Sequence, residues 1–193
     1  MAEVTLDKSK TALLMADFHT DSMGMNPIVQ ERHTLERARE VLDAAREAGV
    51  LVAYIVVNFR PGYPEISDRN KTFSQRKTSG SLPAPDPAGL IHPSVTPRPE
   101  EPIVVKHRVN AFFGTDLEMI LRAQDVDTLV LMGHATSGST VRYAADADYR
   151  IVVVEDGCAD RDLEVYQLLM EKVFPRQATI ASAREVVAAL ASP

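Results

Sequence analysis

The chain has 193 residues, enough for one compact domain (1–193) with a substantial core, and its 45% hydrophobic and 25% charged residues fit a globular fold. A net charge of -6, with no cluster of Lys and Arg, excludes an electrostatic nucleic-acid binder, and the single cysteine excludes an internal disulfide framework. No apolar run approaches membrane-spanning length and the opening MAEVTLDKSK has no signal-peptide stretch, so a cytoplasmic protein with no membrane partner is expected.

In chain order, Thr11–Asp17 (TALLMAD) is a short apolar strand that ends in an acid. Thr34–Ala48 carries Leu35, Ala38, Val41, Leu42 and Ala45 on one helical face, and Gly49 stops that helix. Val50–Val57 is β-branched and apolar on both faces, as a buried parallel strand is. Asn58–Glu101 then holds eight prolines and little periodicity. A segment this long is a lid, a binding loop or an oligomer contact, since apolar residues (Tyr63, Ile66, Phe73, Leu82, Leu90 and Ile91) recur in it.

Ile103–Lys106 is a strand. Thr115–Ala123 opens on Thr115 and Glu118, the spacing of a capping box, and is predicted helical. Thr128–Met132 and Arg150–Val154 are strands, and Leu163–Phe174 has a helical face of Leu163, Tyr166, Met170 and Val173. A short strand at Ala178–Ile180 and a helix opened by the Ser182–Glu185 capping box complete the pattern. Strand and helix alternate nearly throughout, which predicts an open parallel sheet with helices on both faces.

Such sheets bind their ligands at the carboxyl ends of the strands. Asp17, Lys106 and His134-Ala135-Thr136 stand at three of those ends. If these strands are neighbours, a carboxylate, an ammonium and a small-residue turn meet in one crevice. The pair could move a proton, and the turn's N–H groups could hold an oxyanion. Spacing alone favours the plainer reading, in which strand-end charges are solvated. His19, His33, His92, His107 and His134 show no metal-ligand spacing. Cys158, in EDGCAD, is read as a small packed residue near the crevice rim or the next helix.

Three blocks together carry a resemblance that shifts this balance. LLMADFHTD, VVKHRVNAFFGTDLEMIL and TLVLMGHATSG occur in the order seen in the isochorismatase-like (cysteine hydrolase) family, and the likeness runs from about Thr11 to Leu190. The resemblance implies a Rossmann-like three-layer α/β/α sandwich around a six-stranded, mostly parallel sheet. It implies Asp17 and Lys106 as catalytic residues, a homodimer or homotetramer, and no cofactor. It also implies a cis peptide at His134–Ala135 that shapes an oxyanion hole, with His19 and Phe112 lining the pocket. His19 and Thr20 replace the usual amides after the aspartate. The nicotinamidase branch carries a zinc cluster, but the matching VVNFRPGYPEIS has no histidine, so no metal is expected.

The resemblance breaks at one place. In enzymatic members a cysteine opens the helix after the glycine-led turn, and counting from Gly133 that position is Ser139. The helix side fits only if three residues are missing before Ser139. Ser139 then serves as nucleophile, or the nucleophile lies in residues this sequence lacks, or the lineage has dispensed with the thiol. Ser139 could equally be the N-cap of the helix. The leading expectation is hydrolysis of an amide or related C–N bond in a small molecule. The alternatives are cysteine-free vinyl-ether hydrolysis with Asp17 as acid, and a catalytically silent ligand-binding member.

Overall fold

The protein is described as a computed structural model covering residues 4–79, 83–134 and 138–192. Six strands form one sheet: β1 (Thr11–Ala16), β2 (Leu51–Val57), β3 (Ile103–Lys106), β4 (Thr128–His134), β5 (Arg150–Ala159) and β6 (Thr179–Ala181). Their order is β3-β2-β1-β4-β5-β6, and every neighbouring pair is parallel. The sheet is therefore wholly parallel where a mostly parallel one was expected. β1 and β4 sit at its centre and are buried along almost their whole length, which accounts for their apolar residues on both faces.

Among the described residues seven α-helices accompany the sheet: α1 (Thr20–Gly24), α2 (Pro27–Glu31), α3 (Thr34–Glu47), α4 (Leu117–Ala123), α5 (Gly138–Asp146), α6 (Leu163–Leu168) and α7 (Ala183–Ala191). The chain moves one way from β1 to β2 and the other way from β3 through β4 to β5. Right-handed crossovers therefore put α3 on one face and α4 and α5 on the other. α3 buries Ala38, Val41, Leu42 and Ala45, the stripe read from its sequence, and packs against α7. Ser182 and Glu185 form the reciprocal capping box expected at the start of α7.

The second expected capping box does not form. Asp116 precedes α4, and Glu118 is held by Arg122 and by the Tyr143 hydroxyl instead of reaching back to the cap. Thr115 Oγ1 donates to Ala111 O at 2.7 Å and accepts from Leu117 N at 3.3 Å. The helical segment after Asp162 also departs from a regular helix. Leu169–Val173 is a π-turn and Phe174–Arg176 a 3-10 turn, leaving Leu163 half exposed while Tyr166, Met170 and Phe174 are buried.

β5 runs past Val154 through a wide bulge. Leu131 pairs with Val153, but Gly133 pairs with Cys158, so Glu155, Asp156 and Gly157 are looped out. The Tyr166 hydroxyl donates to Glu155 O at 2.7 Å, and Asp156 Oδ1 accepts from Ala183 N at 2.7 Å, which fixes the bulge to the helices beside it.

The described parts of 58–101 are anchored at several points. Phe59, Ile66 and Phe73 form a small core of their own. The Asn58 amide donates to Ala84 O at 2.9 Å and accepts from Ala84 N at 3.1 Å. His92 N donates to Phe18 O at 2.8 Å, and His19 bridges to Ile91. At the far end, Arg46 of α3 grips Glu101 with two bonds of 2.8 Å; both side chains are less than a tenth exposed.

Candidate active site

The order β3-β2-β1-β4-β5-β6 reverses direction between β1 and β4, and ligands of such sheets bind beyond the carboxyl ends of the strands at this switch point. Asp17 lies just past the end of β1 and His134 ends β4. A small cavity there is lined by Ala16, Asp17, Leu131, Met132, Gly133, His134, Thr140 and Val141. Gly133 is what lets β1 and β4 meet so closely. Its φ is 150°, and a Cβ on it would lie 1.8 Å from Ala16 O, well inside any van der Waals contact.

Asp17 itself has φ 55°, a left-handed conformation that costs a non-glycine residue about 1–2 kcal/mol. Its N–H still donates to Ile55 O at 2.8 Å, so the turn is made only after the last strand bond. Lys106, at the end of β3, is buried and places Nζ 2.5 Å from Asp17 Oδ2 and 3.2 Å from Val109 O. The expected acid–lysine pair is therefore in place, across two strand boundaries. Asp17 Oδ1 is buried and has no hydrogen-bond partner among the described residues.

His19 Nε2 lies 3.9 Å from Asp17 Oδ1 and is likewise buried without a hydrogen bond. Burial lowers the His19 pKa, with the Asp17 and Asp21 charges opposing that shift. His134 is lowered by burial too, against the pull of Asp160. Its Nε2 is 3.5 Å from Asn26 Nδ2. A neutral imidazole accepting there carries its proton on Nδ1.

Ser139 lies within α5 (Gly138–Asp146), with Gly138 before it also helical, so it is not the N-cap. Its Oγ is buried with no hydrogen-bond partner among the described residues, and its carbonyl accepts from Asn110 Nδ2 at 3.4 Å. Ala111 N donates to Thr140 Oγ1 at 3.1 Å. The segment after Lys106 thus touches both Lys106, through Val109, and the start of α5, through Asn110 and Ala111. The turn residue Ala135, and with it the expected His134–Ala135 cis peptide, lies outside the described residues.

Phe112 does not take the pocket position expected of it. It is buried, stacked on Tyr143 at 4.7 Å and tilted against Tyr149 at 6.0 Å, so it braces α5. His107 turns away from Lys106, as strand alternation predicts, and its Nδ1 is 2.6 Å from Asn58 O. Cys158 is fully buried in β5 opposite Gly133. No group of three or more His, Cys, Asp or Glu among the described residues could hold a metal ion.

Asn26 is a residue that sequence reading missed. It is buried, caps Ile28 N at the start of α2 and contacts Asp160 O as well as His134. Asn26-Pro27 carries a helix-start signal, a capping residue followed by Pro at the first helical position. Nothing in the sequence links Asn26 to a residue 108 positions away.

Sheet order and the paired groups at its switch point are those of a Rossmann-like α/β enzyme. Residues 11–185 match the isochorismatase domain, and the chain belongs to that family of hydrolases. It is 30% identical to the uncharacterized isochorismatase family protein YwoC of Bacillus subtilis, covering 91% of this chain and 92% of that one. It is 32% identical to ureidoacrylate amidohydrolase RutB of Rhizobium rhizogenes, over 79% and 72% of the two chains. Among solved structures, N-carbamoylsarcosine amidase from Thermoplasma acidophilum superposes with a TM-score of 0.73 at 27% identity, covering 90% of this chain and 96% of that one.

Proposed function

We propose that the protein hydrolyses an amide or related C–N bond of a small molecule, with Asp17 as general acid and base. The observation that carries this reading is the Asp17–Lys106 pair at the switch point. One carboxylate oxygen is held by the ammonium, and the other is buried and has no hydrogen-bond partner among the described residues. A carboxylate held in this way has one oxygen left for proton transfer. The amidohydrolase and amidase relatives support a C–N bond as the target.

In this mechanism Ser139 Oγ attacks the carbonyl carbon as Asp17 takes its proton. Asp17 returns that proton to the departing nitrogen, and the C–N bond breaks. Water, deprotonated by Asp17, then cleaves the resulting ester and restores Ser139. Lys106 keeps the carboxylate oriented and balances its charge.

Ammonia release from a panel of small primary amides tests the reading. Asp17→Asn should abolish turnover while the protein still folds; equal rates in the two proteins would refute the role of Asp17. Ser139→Ala separates the nucleophiles. A second reading is favoured by the absence, among the described residues, of any hydrogen bond from Ser139 Oγ to a base. In it Asp17 acts without a covalent intermediate, as proton donor in vinyl-ether hydrolysis with water as the nucleophile. Hydrolysis of a vinyl ether that is unchanged in Ser139→Ala and lost in Asp17→Asn, with no ammonia released from the amides, would select it.

A further inference from the structure

Two polar atoms face each other in the crevice without a hydrogen bond. Asp17 Oδ1 and His19 Nε2 lie 3.9 Å apart, and both are buried with no hydrogen-bond partner among the described residues. A buried polar atom left unsatisfied costs free energy, so two of them side by side mark a place for something that bonds to both. The gap is too long for a direct hydrogen bond. Nor is it an ion pair at neutral pH, because burial lowers the His19 pKa from 6.5 and the ring is then uncharged.

Both groups are held in place. Lys106 Nζ fixes Asp17 through the other carboxylate oxygen, Oδ2. His19 is fixed through its backbone. Its carbonyl accepts from Met23 N at 2.9 Å and from Ser22 Oγ at 3.3 Å. It also forms a β-bridge with Ile91, and next to it Phe18 O accepts from His92 N at 2.8 Å. The far part of 58–101 therefore braces the turn that carries His19.

The spacing suits one water. An oxygen about 2.8 Å from each atom would see them at roughly 90°, near the angle of about 105° between the two O–H bonds of water. With its proton on Nδ1, a neutral imidazole accepts at Nε2, as the carboxylate does at Oδ1. A water that donates one hydrogen to each atom keeps its lone pairs free for a bound substrate.

We propose that Asp17 Oδ1 and His19 Nε2 together seat the water that completes hydrolysis, which makes His19 a second catalytic residue. This rests on the amide reading above for the bond that is cleaved. The water oxygen bonds to the carbonyl carbon of the Ser139 ester as one of its protons passes to Asp17. The C–Oγ bond then breaks, and Asp17 gives that proton to Ser139 Oγ. His19 takes no proton: it holds the second hydrogen and sets the direction of attack. It does so only while neutral, since a protonated ring would donate to the water and occupy a lone pair. Asp17 and Asp21 favour protonation of this ring, and Lys106 and Arg76 oppose it; His134 is the other titratable group that interacts with it.

The test has two parts. A high-resolution crystal structure of the protein should show an ordered water within about 3.2 Å of both atoms. Wild type, His19→Ala and His19→Gln are then compared on whichever primary amide releases ammonia. His19→Ala should slow breakdown of the Ser139 ester roughly ten- to hundredfold. Acylated protein should then build up in the intact mass, while kcat/KM, set by acylation, changes little. His19→Gln offers an amide oxygen in place of Nε2 and should recover part of the loss. In wild type, ester breakdown should slow as pH falls through the lowered His19 pKa, below 6.5; in His19→Gln, which does not titrate there, that fall should move to lower pH. Melting temperatures near wild type exclude misfolding as the cause. A direct Asp17–His19 hydrogen bond with no water between them, no acylated protein in His19→Ala, or an unmoved acid limb in His19→Gln would overturn the proposal. A bridging water in a protein that releases ammonia from no amide would keep this water seat and sink the amide reading.

Discussion

Replacing Lys106 by Met tests the central pair without opening a large cavity. Lys106 is 2% exposed and the Asp17 side chain 17% exposed, so the pair is shielded without being fully dry. Breaking a buried pair by removing one partner costs about 3–5 kcal/mol, because the other charge is left uncompensated. The partial exposure of Asp17 puts the expected loss near the lower limit, at about 3 kcal/mol. In a protein of this size that is a fall in melting temperature of roughly 6–12 °C. Asp17→Asn should also destabilise, since Lys106 then keeps only Val109 O and a neutral amide. The double variant Asp17→Asn/Lys106→Met removes both charges. It should be more stable than the sum of the single losses implies, by about 2 kcal/mol. Urea unfolding of the four proteins at neutral pH measures each term. A Lys106→Met variant within about 1 kcal/mol of wild type, or strictly additive losses, would refute the view that these two charges depend on each other.

Other outcomes follow from single features. Gly133→Ala should lower stability by about 3 kcal/mol or more and abolish activity, because its Cβ meets Ala16 O; a melting temperature equal to wild type would contradict the close β1–β4 contact. Arg46→Met should cost about 3 kcal/mol by leaving Glu101 buried and unpaired, and limited proteolysis should show earlier cutting within 58–101. Burial holds the folded-state pKa values of His19 and His134 below the ordinary value of 6.5. The unfolded chain therefore binds more protons than the folded one in the window between those lowered values and about pH 6.5. Stability should fall as pH drops through that window, by at most about 1.4 kcal/mol per pH unit for each histidine. Melts at pH 7.5 and 5.5 should show a smaller drop for His134→Gln than for wild type, and an identical drop would exclude His134 as a source.

Much of the framework was legible in the sequence because its signals are local. Apolar runs marked β1 to β4, and the Ile103–Lys106 strand was read with its ends in the right place. The 3.6-residue period of α3 and the Ser182–Glu185 spacing describe contacts that form within a few residues. Asp17 and Lys106 were placed at strand ends by the same reading, and three ordered motifs tied them to a family.

Tertiary structure decided everything that depends on distant partners. The Thr115–Glu118 spacing promised a cap, but Arg122 and Tyr143 compete for the same carboxylate. Glu155–Gly157 looked like the end of a strand, yet pairing with β4 resumes at Cys158 once the bulge is held by Tyr166 and Ala183. Phe112 sits in a motif that suggested a pocket, and Tyr143 and Tyr149 draw it into the core instead. The 2.5 Å bond between Asp17 and Lys106 joins residues 89 positions apart. Sequence supplied the two charged groups and the strands that end in them. Only the order of the strands, with β2 and β1 lying side by side next to β3, brought those groups into one crevice, because register and adjacency in a parallel sheet are set by packing between segments and not by any one of them.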